Sequence, residues 1–315
     1  MSIFDHVQIT DYNDKLEASG TRFPDATEAE RARFIMAREG DLVAAAAMLK
    51  EYVEWRELHG LNSPEYQEAK VRSVSDAQDW SESSQMALRC AADKKRLEIK
   101  DQDEEASKRR DQVHHKKPPI QQPDTLPQIV FIYKDECGEV RRTRCGKLLL
   151  HVLPARVNKK LASSETYALA IALYLDRKLD RSSYDLATLL LDVRGGRGWA
   201  NPPAIRMMPF IKAVSSLLHQ YYPNRLYRCF VYPLPRAALW IWEIAKPFLD
   251  RAIVEAVTLV AGSDSHSAPP PNKALNEHVE LDLLEEMETN RLSLCEDGSR
   301  MVHGHSRRRR QYKQN

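Results

Sequence analysis

The residues best placed to do chemistry are Val193-Arg194-Gly195-Gly196-Arg197-Gly198, a glycine- and arginine-rich stretch between an apolar strand-like run and a helix-like one. Backbone N–H groups in such a setting can cradle a phosphate. A dinucleotide fingerprint starting at Gly196 needs glycine or alanine where Asn201 stands, and a P-loop needs Gly-Lys followed by Ser or Thr, which is absent. The chain has neither a G-x-S-x-G nucleophile elbow nor an H-E-x-x-H helix. Glu285 and Glu286 lie in a polar segment and read as a solvated helix face. His114 and His115 are adjacent, so they face different ways on a helix or a strand; His303 and His305 sit in a basic tail. Five cysteines at wide spacings fit neither a disulfide framework nor a zinc site and read as reduced thiols. The expectation is a protein with no catalytic residues, no metal and no cofactor.

The chemistry that remains is apolar binding. In YYPNRLYRCFVYPLPRAALWIWEIAKPFLD, residues 221–250, a run of branched and aromatic side chains over 226–232 has the composition of a buried strand, ended by Pro233 and Pro235. Pro235 suits the first turn of a helix, where its missing N–H costs nothing. The helix that follows carries Leu239, Trp240, Ile241, Trp242 and Ile244 and has no clear polar face. Such a helix is either enclosed by protein or covers an apolar ligand.

Composition limits the partners. With 315 residues the chain can bury a large core, and 47 Lys plus Arg against 45 Asp plus Glu leave no general field for nucleic acid. No signal-peptide pattern opens the chain, and no apolar run reaches the roughly 20 residues that span a bilayer. The expected setting is cytoplasmic, with transient peripheral contact at membranes.

The elements that must position a ligand follow from pattern. After a polar lead (1–23), a helical module occupies 24–60: Thr27 to Glu30 reads as a capping box, Gly40 as a stop, and Asp41 as the cap of a second helix that Gly60 closes. Residues 61–120 read as a charged linker or solvated, partly helical insertion. From 121 to 290 strands and helices alternate. Hairpin strands at 129–133 and 139–143 flank Asp135-Glu136-Cys137-Gly138, strands fall at 147–153, 186–193, 226–232 and 256–260, and helices start after Ser163 or Ser164, at Pro209 and at Pro235. This predicts an α/β fold with a mixed, largely parallel sheet. A short acidic helix over 274–290 and a basic tail, 291–315, complete the chain; the tail's Arg307 to Arg310 or the 61–120 segment would serve any protein partner.

These segments carry a resemblance. Arg33-Phe34, Ala37-Arg38, Asp41, Ala45, Met48-Leu49 and Trp55-Arg56 resemble the landmarks of the CRAL-TRIO N-terminal helical module. Leu191-Asp192 with Gly195, Tyr222-Pro223, Arg225, Pro235 and Lys246-Pro247-Phe248-Leu249-Asp250 resemble those of its lipid-binding domain. The resemblance implies a sheet that floors an apolar lipid pocket, helices that wall it, and a gate helix corresponding to about 235–247. It implies lipid contacts at Leu239, Trp242, Phe248, Ile253, Ala256, Asn224 and Arg38, and membrane contact at Trp240. Relatives that carry inositol phospholipids have a lysine, an acid, a hydroxyl residue and a lysine where this chain has Glu39, Asn224, Ile253 and Ala256. The implied ligand is a hydrophobic lipid: a phospholipid, a sterol, or a tocopherol-like or retinoid-like molecule. A non-catalytic carrier or presenter of such a lipid is the expected function; an adaptor that keeps the scaffold and has filled its pocket is the alternative.

Overall fold

The computed structural model describes residues 25–73, 75–106, 123–195, 204–235, 239–248 and 251–303. Helix α1 (Glu28–Ala37) begins with the capping box: the Glu30 N–H donates to the Thr27 hydroxyl at 3.2 Å, and the Thr27 N–H donates to the Glu30 carboxylate at 2.8 Å. Glu39 and Gly40 both take positive φ, which turns the chain back, and Asp41 then caps α2 (Leu42–Leu58) by accepting from Val43 and Ala44. Phe34 packs on Tyr52 across the two helices, with ring centroids 5.2 Å apart.

Helix α3 (Pro64–Arg72) follows, and then α4 (Asp76–Ala106) runs through the segment whose composition reads as a linker. The structure differs from that reading. Trp80, Ala87 and Leu88 are buried, Ser83 and Ser84 let the backbone approach closely, and the Trp80 indole N–H donates to the Leu126 carbonyl at 2.8 Å. A few large residues spaced along one face are enough to dock the first half of a helix. The mixed charges begin where that docking ends, and residues 93–98 are exposed.

The sheet is ordered β1 (Val130–Phe131), β2 (Leu148–Val152), β3 (Ala187–Asp192), β4 (Leu226–Leu234), β5 (Val257–Ala261). β1 runs antiparallel to β2 and the remaining pairs are parallel, as an α/β alternation requires. Helices α5 (Ser164–Lys178) and α6 (Ala204–Tyr221) supply crossovers. The Ser163 hydroxyl caps α5 by accepting from Thr166. Its apolar surface is enclosed by protein, with Tyr167, Ala170, Leu173 and Tyr174 inaccessible or nearly so.

Several boundaries depart from expectation: β1 keeps only two residues of the expected 129–133 strand, and 139–143 forms isolated bridges, Val140 with Lys134 and Arg142 with Leu148, in place of a strand. α6 starts at Ala204, so Pro209 lies within the helix and not in its first turn. β4 continues past Tyr232 through Pro233 to Leu234, because the ladder to β5 shifts register between Val231 and Leu234 and needs no N–H from the proline. Gly262 lies against this point; a Cβ there would stand 2.5 Å from the Pro233 Cβ. After β5 come a short α9 (Asn272–Leu275) and α10 (Leu281–His303), where composition indicates one helix over 274–290. α10 closes one face of the sheet with Leu283, Leu284 and Met287 packed on Leu149, Leu190, Phe230 and Tyr232.

Candidate functional site

Side chains alternate along a strand, so each strand of this sheet presents one set to α10 and the other to α5 and α6. On the α10 side Thr188, Leu190, Asp192, Phe230 and Tyr232 are all buried. On the other side burial fades across the sheet. Leu148, Leu150, Val152 and Ala187 are buried under α5 and α6, whereas Leu189, Leu191, Val231, Val257 and Leu259 are only half-buried. The α6 stripe of Ile211, Val214, Leu217 and Leu218 behaves likewise: beyond Phe210 no residue of this helix is fully buried. Strands in a parallel sheet normally have both faces covered. Leaving five aliphatic side chains half-covered forgoes on the order of 5 kcal/mol of burial. The result is a half-covered apolar face on β3, β4 and β5.

Three elements that carry residues of the sequence-predicted site lie near this region. Leu239 and Trp240 of α7 (Leu239–Ala245) are exposed, at 40% and 53%, while Trp242 is half-buried with the Lys246 ammonium 6.0 Å from its ring centroid. Phe248 ends a 3₁₀ turn, Lys246–Phe248; its side chain lies outside the described residues. Ile253 and Ala256 are half-buried on α8 (Arg251–Ala256), which packs on β4. Arg38 and Asn224 are placed elsewhere. Arg38 is exposed at the end of α1, and Asn224, in a left-handed conformation at φ 53°, donates its amide to the Arg33 carbonyl at 3.1 Å. Asn224 thus tethers the turn before β4 to α1. The half-buried positions of β3 to β5 and α6 escaped sequence reading, because an unbroken apolar run does not say which alternate residues stay uncovered.

The junction between α1–α3 and the sheet domain is strongly polar. Arg56, fully buried, pairs with Asp176 of α5 and donates to the Asn62 side chain at 2.9 Å. The Tyr66 hydroxyl donates to the other Asp176 oxygen at 3.0 Å. Arg181 grips Glu30 at 2.7 and 2.8 Å, and burial is outweighed by that guanidinium and by the Tyr52 hydroxyl, so the Glu30 carboxyl titrates below its ordinary value. Arg33 and Arg225 donate to carbonyls of residues 180–185. Burial and the neighbouring Arg225 charge lower Arg33 to about 10. A crevice here is lined by Glu30, Arg33, Tyr52, Arg181, Tyr222 and Arg225. It is a largely charged seam, unlike the apolar face over β3, β4 and β5.

The face under α10 holds a second polar network. Asp192 accepts from the Arg194 guanidinium at 2.6 Å, Arg194 reaches Glu288 at 2.6 Å, and Glu288 also binds Arg291 at 2.7 Å. Arg291 and Arg194 further donate to the His266 and Ala268 carbonyls, which ties α10 to the loop after β5. Arg194, the first cation of the glycine-arginine stretch, is therefore spent on structure; residues 196–198 lie outside the described residues. His151 stands beside this network, its Nδ1 2.8 Å from the Tyr133 hydroxyl and its Nε2 4.0 Å from Asp192. Among the described residues no cluster of His, Cys, Asp or Glu is arranged to hold a metal, and no helix is long and apolar enough to cross a membrane.

No curated protein matches the chain in sequence. The solved structure of Sfh5 is similar to it, with 15% identity over 82% of this chain and 81% of that one, at a TM-score of 0.47. Residues 139–287 match the family model of the CRAL/TRIO domain, a span that runs from the segment before β2 to Met287 on α10 and contains β2 to β5 with their half-covered apolar face. Over that span, just under half of its length, the chain is similar to the CRAL/TRIO domain, a lipid-binding scaffold.

Proposed function

We propose that this protein is a non-catalytic lipid carrier that takes a hydrophobic ligand onto the half-covered face of β3, β4 and β5 and exchanges it during brief contact with membranes. The observation that carries this reading is the asymmetry of the sheet. The face with His151, Asp192 and Arg194 is buried over β2, β3 and the second half of β4, with Arg228 and Thr258 exposed at its margins, and the face left half-open is the one made of leucine and valine. Water-exposed strand faces normally carry the polar set. The inverse arrangement makes sense where an apolar molecule completes the core, at about 0.8 kcal/mol per methylene removed from water. In this reading Trp242, Ile253, Ala256 and Phe248 form the wall over that floor, the helical module of 24–60 is fixed to the domain of 121–290 through the polar seam, and the working compartment is the cytoplasm.

Native mass spectrometry of the purified chain, with lipid extraction, tests the proposal. A carrier retains or takes up roughly one lipid; a chain that holds none after exposure to vesicles is an adaptor on the same scaffold. Membrane contact has its own test. Trp240 projects from α7 beside exposed Leu239 and Ile244, a composition suited to the interface of a bilayer. Trp240→Ala is expected to weaken vesicle association in flotation assays roughly tenfold, the loss of 1–2 kcal/mol that one interfacial indole supplies, with an unchanged melting temperature. Equal flotation of variant and parent would remove α7 from the contact surface.

A further inference from the structure

We propose that the seam between the helical module and the sheet domain binds one small monovalent anion, of the size of chloride or bromide, between the guanidinium groups of Arg33 and Arg225. The proposal is independent of the carrier reading.

The seam holds more cations than acids. Each carboxylate that lines its crevice has a guanidinium of its own: Asp176 is paired with Arg56, and Glu30 with Arg181 at 2.7 and 2.8 Å. Arg33 and Arg225 line the same crevice, are only 4% and 7% exposed, and form no ion pair with a carboxylate of the described residues. Asp180 and Asp185 of the neighbouring loop face solvent, and Asp185 pairs with Arg142 at 3.2 Å. Among the described residues, two buried positive charges thus lack a counter-charge, a costly arrangement until an anion joins them.

The two guanidinium groups are held side by side. Both donate to the Ser183 carbonyl, Arg33 at 2.8 Å and Arg225 at 2.9 Å, and their other bonds go to the carbonyls of Asp180, Arg181 and Asp185. Carbonyls satisfy N–H groups but leave the net charge unopposed. Each guanidinium has five N–H groups, of which these bonds use two on Arg33 and three on Arg225, so donors remain for an ion. Burial and the Arg225 charge lower Arg33 to about 10, and burial lowers Arg225 as well. An anion between them acts against both shifts.

Size selects the ion. The crevice has room for a single group comparable to a water molecule, and the rings of Phe34, Tyr52, Tyr221 and Tyr222 close its sides. The Tyr52 and Tyr222 hydroxyls are turned to Glu30 and to the Ala172 carbonyl. A halide fits such a space; the tetrahedral oxygens of a phosphate do not. Bound there, the ion joins α1 to the loop after α5 and to the residue before β4, and so fastens the helical module to the sheet domain.

The test follows thermal unfolding of the full chain at fixed pH and ionic strength while sodium chloride replaces sodium gluconate, whose anion is too large for the crevice. The expected result is a saturable rise in melting temperature of about 3–5 °C at chloride roughly tenfold above its dissociation constant, equivalent to a roughly tenfold gain in the folding equilibrium. Bromide is expected to act as chloride does. Equal melting temperatures in chloride and gluconate would overturn the proposal. Arg225→Met is expected to melt lower and to lose the chloride response; a folded variant that keeps the full response would place the ion elsewhere and sink the proposal. Should that variant not fold, anomalous scattering from crystals of the parent chain grown in sodium bromide decides. A bromide peak between Arg33 and Arg225 supports the site, and the lack of one there refutes it.

Discussion

Asp176→Ala is expected to lower the stability of the chain by about 3–5 kcal/mol, because it strands the fully buried Arg56 guanidinium without a counter-charge. The loss exceeds that of an ordinary ion pair for two reasons. Arg56 is inaccessible to water, and its remaining partners, Asn62, Tyr52 and the Leu61 carbonyl, are neutral. The Tyr66 hydroxyl loses its acceptor in the same step. In a domain of this size each kcal/mol lowers the melting temperature by roughly 2–4 °C, so a fall of about 10 °C is expected by differential scanning calorimetry. The double variant Arg56→Met, Asp176→Leu removes the buried charge along with its partner and is expected to recover part of the loss. A single-variant effect below about 1 kcal/mol would mean that the pair is solvated and does not join the helices to the sheet domain.

That junction shows where sequence reading stops. The capping box at Thr27 and the cap at Asp41 were legible because their partners lie within three residues, and the order of strands and helices was legible from apolar runs punctuated by Gly and Pro. The parallel sheet followed from alternation alone. Contacts between distant residues were not legible: Arg56 finds Asp176 across 120 positions, and Arg194 finds Glu288 across 94. α4 escaped for a different reason. Its docking rests on a few large residues and on Ser83 and Ser84, polar by type yet small enough to let two helices approach. Of the proposed site, the aromatic helix α7 stood out by composition, whereas its floor at Leu189, Leu191 and Val231 depends on which alternate residues are left uncovered.

The two polar networks hold different parts of the fold together. One fixes the helical module to α5, and the other fixes α10 and the loop after β5 to the end of β3. Neither reaches α7 or α8, whose ion pairs are local and exposed, Lys246 with Glu243 and Arg251 with Glu255. Exposed pairs of this kind contribute little. Among the described residues, α7 and α8 are thus held to the sheet domain by packing more than by charge, a property that suits the movable wall of the proposed carrier.

The α10 network carries a pH dependence of its own. His151 is 1% exposed, and burial lowers its pKa to about 4; Asp192 and Glu288 pull upward, Arg194 and Arg291 push downward, and burial prevails. In the unfolded chain the imidazole titrates near 6.5. Between those values the unfolded state binds more protons than the folded one, so stability is complete above pH 6.5 and falls as pH drops toward 4. At 1.36 kcal/mol per pH unit the interval from 6.5 to about 4 amounts to roughly 3 kcal/mol. His59, also lowered by burial, adds a term of the same sign, so the test compares two proteins and not one curve. Urea unfolding at pH 7 and pH 4.5 is expected to show His151→Leu losing distinctly less stability across that range than the parent, even though the variant starts lower at pH 7 through the lost Tyr133 contact. Parallel pH profiles for the two would mean that protonated His151 is accommodated beside Asp192 in the folded state. The α10 face would then be insensitive to the proton.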